Sequence, residues 1–147
     1  MSNGDDVPLS AVHQVRDACL CLHVQRAARA LARRFDIVLQ PVGLTSGQFS
    51  LLMSLNRPEP PTISSVANLL AMDRTTLTAN LKPLERRGLV RIKVDQKDRR
   101  SRLLAITPAG RAVLSKAYPI WRDTHGELEK LVAGGADALR AALRQLS

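Results

Sequence analysis

Between Leu44 and Pro108 this chain is cut repeatedly by residues that start or stop helices. Thr45-Ser46-Gly47-Gln48 has the capping-box pattern: the threonine hydroxyl takes an orphan amide and the glutamine reaches back. Phe49, Leu51, Leu52 and Leu55 then supply an apolar face. Arg57-Pro58-Glu59-Pro60-Pro61 is a stiff loop that no helix can cross. Thr62 is placed to cap a short helix from Ile63 to about Ala71, with Val66, Ala67 and Leu70 inward. Asp73 is placed to cap the next, Arg74 to Arg87, with Leu77, Leu81 and Leu84 inward and Gly88 as its stop. Two short helices joined by a few residues make a helix-turn-helix.

The segment that follows changes period. Leu89-Val90-Arg91-Ile92-Lys93-Val94 alternates apolar with basic residues, Gln96-Lys97-Asp98-Arg99 is turn-like, and Leu103 to Ile106 returns. Such a hairpin is too small to stand alone and must lean on the helices. Thr107-Pro108 opens a helix to about Val132, with a disturbance expected at Pro119. Gly134-Gly135 ends it, and Ala136 to Leu146 forms a last amphipathic helix. Ahead of the capping box, Met1 to Leu9 reads as a flexible tail, and an apolar stripe from Val12 to Val38 predicts one long helix, Ser10 to Leu39. A helix of about thirty residues spans roughly 45 Å, so part of it is expected to pack on another chain. Three regions result: a tail and long helix over 1–40, a helix-turn-helix with its hairpin wing over 41–110, and C-terminal helices over 111–147. The expected class is mainly α with a small β-hairpin wing.

Composition supports this plan. Hydrophobic residues make up 45% of the 147, which permits a core, and only Phe35, Phe49, Tyr118 and Trp121 are aromatic. The core must therefore be aliphatic. The net charge is +9, and residues 73–111 hold eleven cations against four anions, a local surplus of +7. Charge gathered on one stretch is the footprint of a polyanion, because cations beside phosphates release condensed counterions.

The second helix of the pair is shaped for a major groove. Thr75, Thr76, Thr78 and Asn80 offer short hydrogen-bonding groups to base edges or phosphates. Arg74 shares the outward face, and Lys82 and Arg86, further along, suit backbone phosphate. At the hairpin tip Lys97, Arg99, Arg100 and Arg102 form a narrow cationic ribbon suited to a minor groove. Asp98 would be repelled by DNA alone and is expected to pair with a neighbouring arginine.

These residues resemble a known family. Leu44-Thr45 with Gln48-Phe49, Met72-Asp73-Arg74-Thr75-Thr76-Leu77-Thr78, Leu84 to Val90, Asp98-Arg99-Arg100-Ser101, and Leu104 to Thr107 with Gly110 together resemble the MarR family of winged helix-turn-helix regulators. The resemblance implies an obligate homodimer, an intertwined helical dimer joined through dimerisation helices in 1–40 and 111–147, on a pseudo-palindromic double-stranded DNA operator. It implies that Arg100 enters the minor groove and that Asp98 braces it. It also implies repression relieved by a small aromatic effector or an oxidant.

Cys19 and Cys21, two apart on a helix, point to nearly opposite faces, which suits neither a mutual disulfide nor a shared metal. Cys21 is placed like the peroxide-sensing cysteine of the family's hydroperoxide-responsive branch. The tyrosines of that branch are replaced here by Phe35 and Ser46. Packing and redox roles are both open for this pair. His23 or Arg26 is expected to face a ligand cavity between the long helix and the Phe49 helix. His13, His23 and His125 lie on different elements or turns, so no metal site is expected, nor any cofactor. No phosphate loop, HExxH or GxSxG pattern occurs, and no enzyme is expected. The absence of an apolar run near 18 residues argues against a membrane span, and the polar N-terminus and two cysteines favour a cytoplasmic setting. Two other readings use the same charge: a sequence-indifferent architectural DNA-binding protein, or an interaction module with weak DNA binding.

Overall fold

A computed structural model describes residue 4 and residues 6–147. The expected tail, Met1 to Leu9, is described in part: residues 1–3 and 5 lie outside the described residues. The chain runs α1 (Leu9–Ala18), α2 (Leu20–Leu39), a 3-10 turn (Gln40–Val42), α3 (Ser46–Leu55), α4 (Ile63–Leu70), α5 (Arg74–Arg86), β1 (Val90–Val94), β2 (Arg102–Ile106), α6 (Pro108–Glu129) and α7 (Ala136–Gln145).

The expected single N-terminal helix is two. Cys19 is extended (φ −67°, ψ 114°) and closes α1 through its amide to the Val15 carbonyl. Its own carbonyl accepts from the His23 amide at 3.1 Å and meets His23 Nδ1 at 2.8 Å. A stripe of apolar residues registers faces and passes over one residue out of line. The two prolines inside helices break nothing. Both α5, with Pro83, and α6, with Pro119, are continuous, although each proline withholds an amide from the preceding turn. Burial outweighs that loss in α5, where Leu77, Leu81 and Leu84 are each 0% exposed.

The caps act as expected. Thr45 Oγ1 accepts from Gln48 N (3.2 Å) while Gln48 Oε1 accepts from Thr45 N (3.0 Å). Thr62, Asp73 and Thr107 accept from the amides three residues on. Between α4 and α5, Ala71 adopts the left-handed conformation (φ 52°), and the Met72 amide returns to the Ala67 carbonyl (2.9 Å). This turn sets α5 across α4.

One aliphatic core joins the lobe. Leu39, Leu52, Leu55, Leu77, Leu81, Leu84, Leu104 and Val66 are its fully buried side chains. The wing strands pair antiparallel from Val90↔Ile106 to Val94↔Arg102. The proline-rich loop acts as a partial third strand: Leu104 donates to the Pro61 carbonyl (2.8 Å), and Thr62 bridges Leu103. Thr107 Oγ1 donates to the Gly88 carbonyl (2.6 Å), tying the start of α6 to the α5–β1 corner. Gly110 faces that corner so closely that a Cβ there would collide with the Leu89 carbonyl oxygen and the Ile106 side chain.

Candidate nucleic-acid interface

The α5 helix presents two polar flanks. Arg74, Thr75, Thr78, Ala79 and Lys82 share one open hollow. Asn80 falls on the other flank and shares a hollow with Pro83 and with Thr45, Gly47 and Gln48 of the α3 start. The expected row of four readers is therefore divided, because residues two apart on a helix diverge. Two of the hydroxyls already have work. Thr76 Oγ1 donates to Asp73 Oδ2 (2.8 Å) and its amide to Asp73 Oδ1 (2.7 Å). Thr78 Oγ1 donates to the Arg74 carbonyl (2.8 Å). Their lone pairs, with Thr75 and Asn80, still face outward. The Thr76 amide, and after it the Thr76 hydroxyl, hold the Asp73 carboxyl below the usual carboxylate range. Arg86 ends the helix and is exposed.

At the wing the tip is built by main-chain bonds. Asp95 Oδ1 accepts from the Lys97 amide (2.9 Å), and Asp98 Oδ1 accepts from the Arg100 amide (3.1 Å). The Asp98 carbonyl accepts from the Ser101 amide (2.9 Å). Asp98 thus engages Arg100 through its backbone, correcting the expected carboxylate–guanidinium pair; an Asx turn satisfies the carboxylate locally without drawing a guanidinium inward. Arg102 folds back, with Nη1 donating to the Arg99 and Ser101 carbonyls at 3.1 and 3.3 Å. Lys97, Arg99 and Arg100 stand exposed. Among the described residues, every salt bridge lies outside positions 74–111. The basic face is left uncompensated.

The ligand and redox candidates do not converge. Phe49 is 5% exposed and stacks on Trp121 (5.9 Å between ring centres), which in turn stacks on Tyr118 and His125. Phe49 is thereby packed in the core against Trp121 of α6. The hollow along α2, about 490 Å³, lies against the end of α6 and α7 instead of the Phe49 helix, and His23 and Arg26 do not line it. Cys21 is exposed and accepts from Gln25 Nε2 (3.4 Å), while Cys19 is half-buried at the α1–α2 break. The break overturns the premise that both lie within one helix. Among the described residues no group of three or more metal-ligating side chains occurs. No described helix is long and apolar enough to cross a membrane. Sequence reasoning passed over the α3 start as a wall of the α5 hollow; the capping box marks a helix end but not what stands beside it.

A capped helix showing threonines and cations, set beside an unpaired basic ribbon, defines a winged helix-turn-helix DNA-binding protein. The MarR family pattern matches residues 44–101, from the α3 approach to the wing tip. The organic hydroperoxide resistance transcriptional regulator of Bacillus subtilis is 29% identical over 108 residues, 74% of each chain. The transcriptional activatory protein BadR of Rhodopseudomonas palustris is 34% identical over 113 residues, 74% of this chain and 65% of BadR. The structure of the M. tuberculosis transcriptional regulator MosR in complex with DNA is similar at a TM-score of 0.80 and 38% identity, covering 87% of this chain and 92% of that one. The chain belongs to the MarR family of transcriptional regulators.

Proposed function

We propose that this chain is a cytoplasmic homodimeric repressor of a pseudo-palindromic operator, released by a small aromatic ligand or an oxidant. The observation that carries the reading is the uncompensated charge of α5 and the wing on one lobe. Arg74, Thr75 and Thr78 enter the major groove from one flank of α5, with Thr76 and Asn80 on the other, and Lys82 and Arg86 meet phosphate. Lys97, Arg99 and Arg100 follow the minor groove, with Asp98 shaping the tip and Arg102 steadying it. The likeness to MosR, which was solved in complex with DNA, supports duplex DNA as the partner.

Dimerisation is supported by apolar side chains exposed on α1 and on and beside α7, among them Leu9, Val12, Val15, Leu139, Leu143 and Leu146. A hollow of about 570 Å³ between α3 and α6 suits the effector. Arg111 offers a guanidinium to a carboxylate there, and Met53, Leu114 and Tyr118 offer a surface to a ring. Footprinting on the chain's own upstream DNA tests the reading. The expected result is a protected inverted repeat with half-sites about one helical turn apart. It should be preferred over random duplex by about a thousandfold at physiological salt. Equal affinity for random duplex would replace the regulator with an architectural binder.

A further inference from the structure

A second basic surface lies outside the helix-turn-helix and the wing. Helix α2 carries Arg26, Arg29, Arg33 and Arg34 against one carboxylate, Asp36. Arg26, Arg29 and Arg33 are exposed, and none has a salt-bridge or side-chain hydrogen-bond partner among the described residues. At 3.6 residues per turn, Arg26, Arg29, Arg33 and Asp36 fall within an arc of roughly 80°.

Asp36 fixes where that arc points. Its Oδ1 accepts from the Ser46 amide at the first residue of α3 (2.6 Å). The neighbouring residues Thr45, Gly47 and Gln48 wall the hollow that holds Asn80 of α5. The Asp36 edge of the arc therefore meets the α3 start, which adjoins the polar flank of the recognition helix, and the arginines continue from that edge along the exposed side of α2. The fourth cation, Arg34, lies off this arc and lines the apolar hollow against α6 and α7. Asp36 bonds the Ser46 amide and no arginine, so against its one negative charge the three arginines keep a surplus of two.

We propose that Arg26, Arg29 and Arg33 form an auxiliary phosphate-binding stripe that extends the contact with duplex DNA beyond α5 and the wing. The inference rests on the DNA-binding reading above. Its chemistry is nonspecific: guanidiniums along a helix meet backbone phosphates and add affinity and salt dependence without reading bases. The stripe lengthens the footprint toward the DNA between half-sites or beside them, and leaves the operator sequence unchanged.

The test measures binding of the full chain to a duplex carrying its protected site, across a series of salt concentrations. Each phosphate contact contributes about 0.9 to the slope of log K against log salt. Neutralising the stripe with Arg26→Gln, Arg29→Gln and Arg33→Gln should lower the slope by about 2–3 for each protomer on the DNA, about 5 for the dimer, with the ratio of specific to random affinity unchanged. Arg29→Lys, which keeps the charge, should keep the wild-type slope. Light scattering on each variant reads assembly. An unchanged slope in the triple variant overturns the stripe, as does a shift from dimer to monomer, which would place these arginines in the subunit interface. A wild-type chain that binds no duplex removes the regulator reading as well, so the two failures are distinguishable.

Discussion

At the scale of single residues, a few side chains and one missing side chain decide geometry. Arg100 stands clear of protein partners, while its amide is held by Asp98. Arg100→Ala should therefore leave folding intact and cost about 1–3 kcal/mol of operator affinity, read by fluorescence anisotropy. Unchanged affinity would strike Arg100 from the contacts. Gly110 has the opposite character, since it touches no DNA-facing group and has no room for a methyl. Gly110→Ala should lower stability in urea unfolding by about 1–3 kcal/mol, because helix α6 must move off the α5–β1 corner. Asp73 links stability to pH. Its folded carboxyl titrates below the unfolded value because the Thr76 amide and hydroxyl bond the ionised form. The cap is therefore fully formed above the unfolded value of about 4 and is lost as pH falls through the folded one. Asp73→Ala should be less stable than the wild type at neutral pH, and acid should close the gap. A gap that persists in acid would mean the ionised carboxylate is not the cap.

At the scale of elements, the wing is anchored at its base and free at its tip. Val90, Leu104 and Ile106 are buried, and the Pro61 carbonyl receives the Leu104 amide. Among the described residues, 95–101 make no hydrogen bonds outside the tip beyond those from the Arg102 guanidinium. Replacing 95–101 with Asn-Gly, the pair that suits a two-residue hairpin turn, should preserve the melting temperature. It should also reduce the salt slope of DNA binding by up to about 0.9 for each of three lost cations. Loss of folding would show that the tip is structural. This division was legible in advance for the strands, whose alternation of apolar and basic residues survives in the structure. The Asx turns were less so: aspartate beside arginine reads equally as an ion pair or as a turn, and only backbone dihedrals separate the two.

For the whole molecule, the outstanding feature is apolar surface with nothing over it. α1 and α7 contain no buried residue at all, and Leu9 and Leu146 are 68% and 64% exposed. Helices with such faces form only when something packs on them. A charge in that surface, as in the pair Leu139→Lys and Leu143→Lys, should shift the mass seen by light scattering from dimer to monomer. Binding to a full inverted repeat should collapse with it, while a single half-site keeps only weak nonspecific affinity. A variant that remains dimeric would move the interface elsewhere.

The order of elements, their caps and the location of the positive charge follow from the sequence, because each depends on near neighbours: a hydroxyl and an amide three residues apart, or a leucine every third or fourth position. Thr45, Thr62, Asp73 and Thr107 were recognisable for that reason. The tertiary structure decided what depends on residues far apart in the chain. It split α1 from α2 at Cys19 and stacked Trp121 on Phe49. It also turned Asn80 toward the α3 start and, through Asp36 and Ser46, aimed the arginines of α2. Hydrophobic pattern specifies which face of a helix is buried; only packing against a distant segment determines what that face, and the face behind it, will meet.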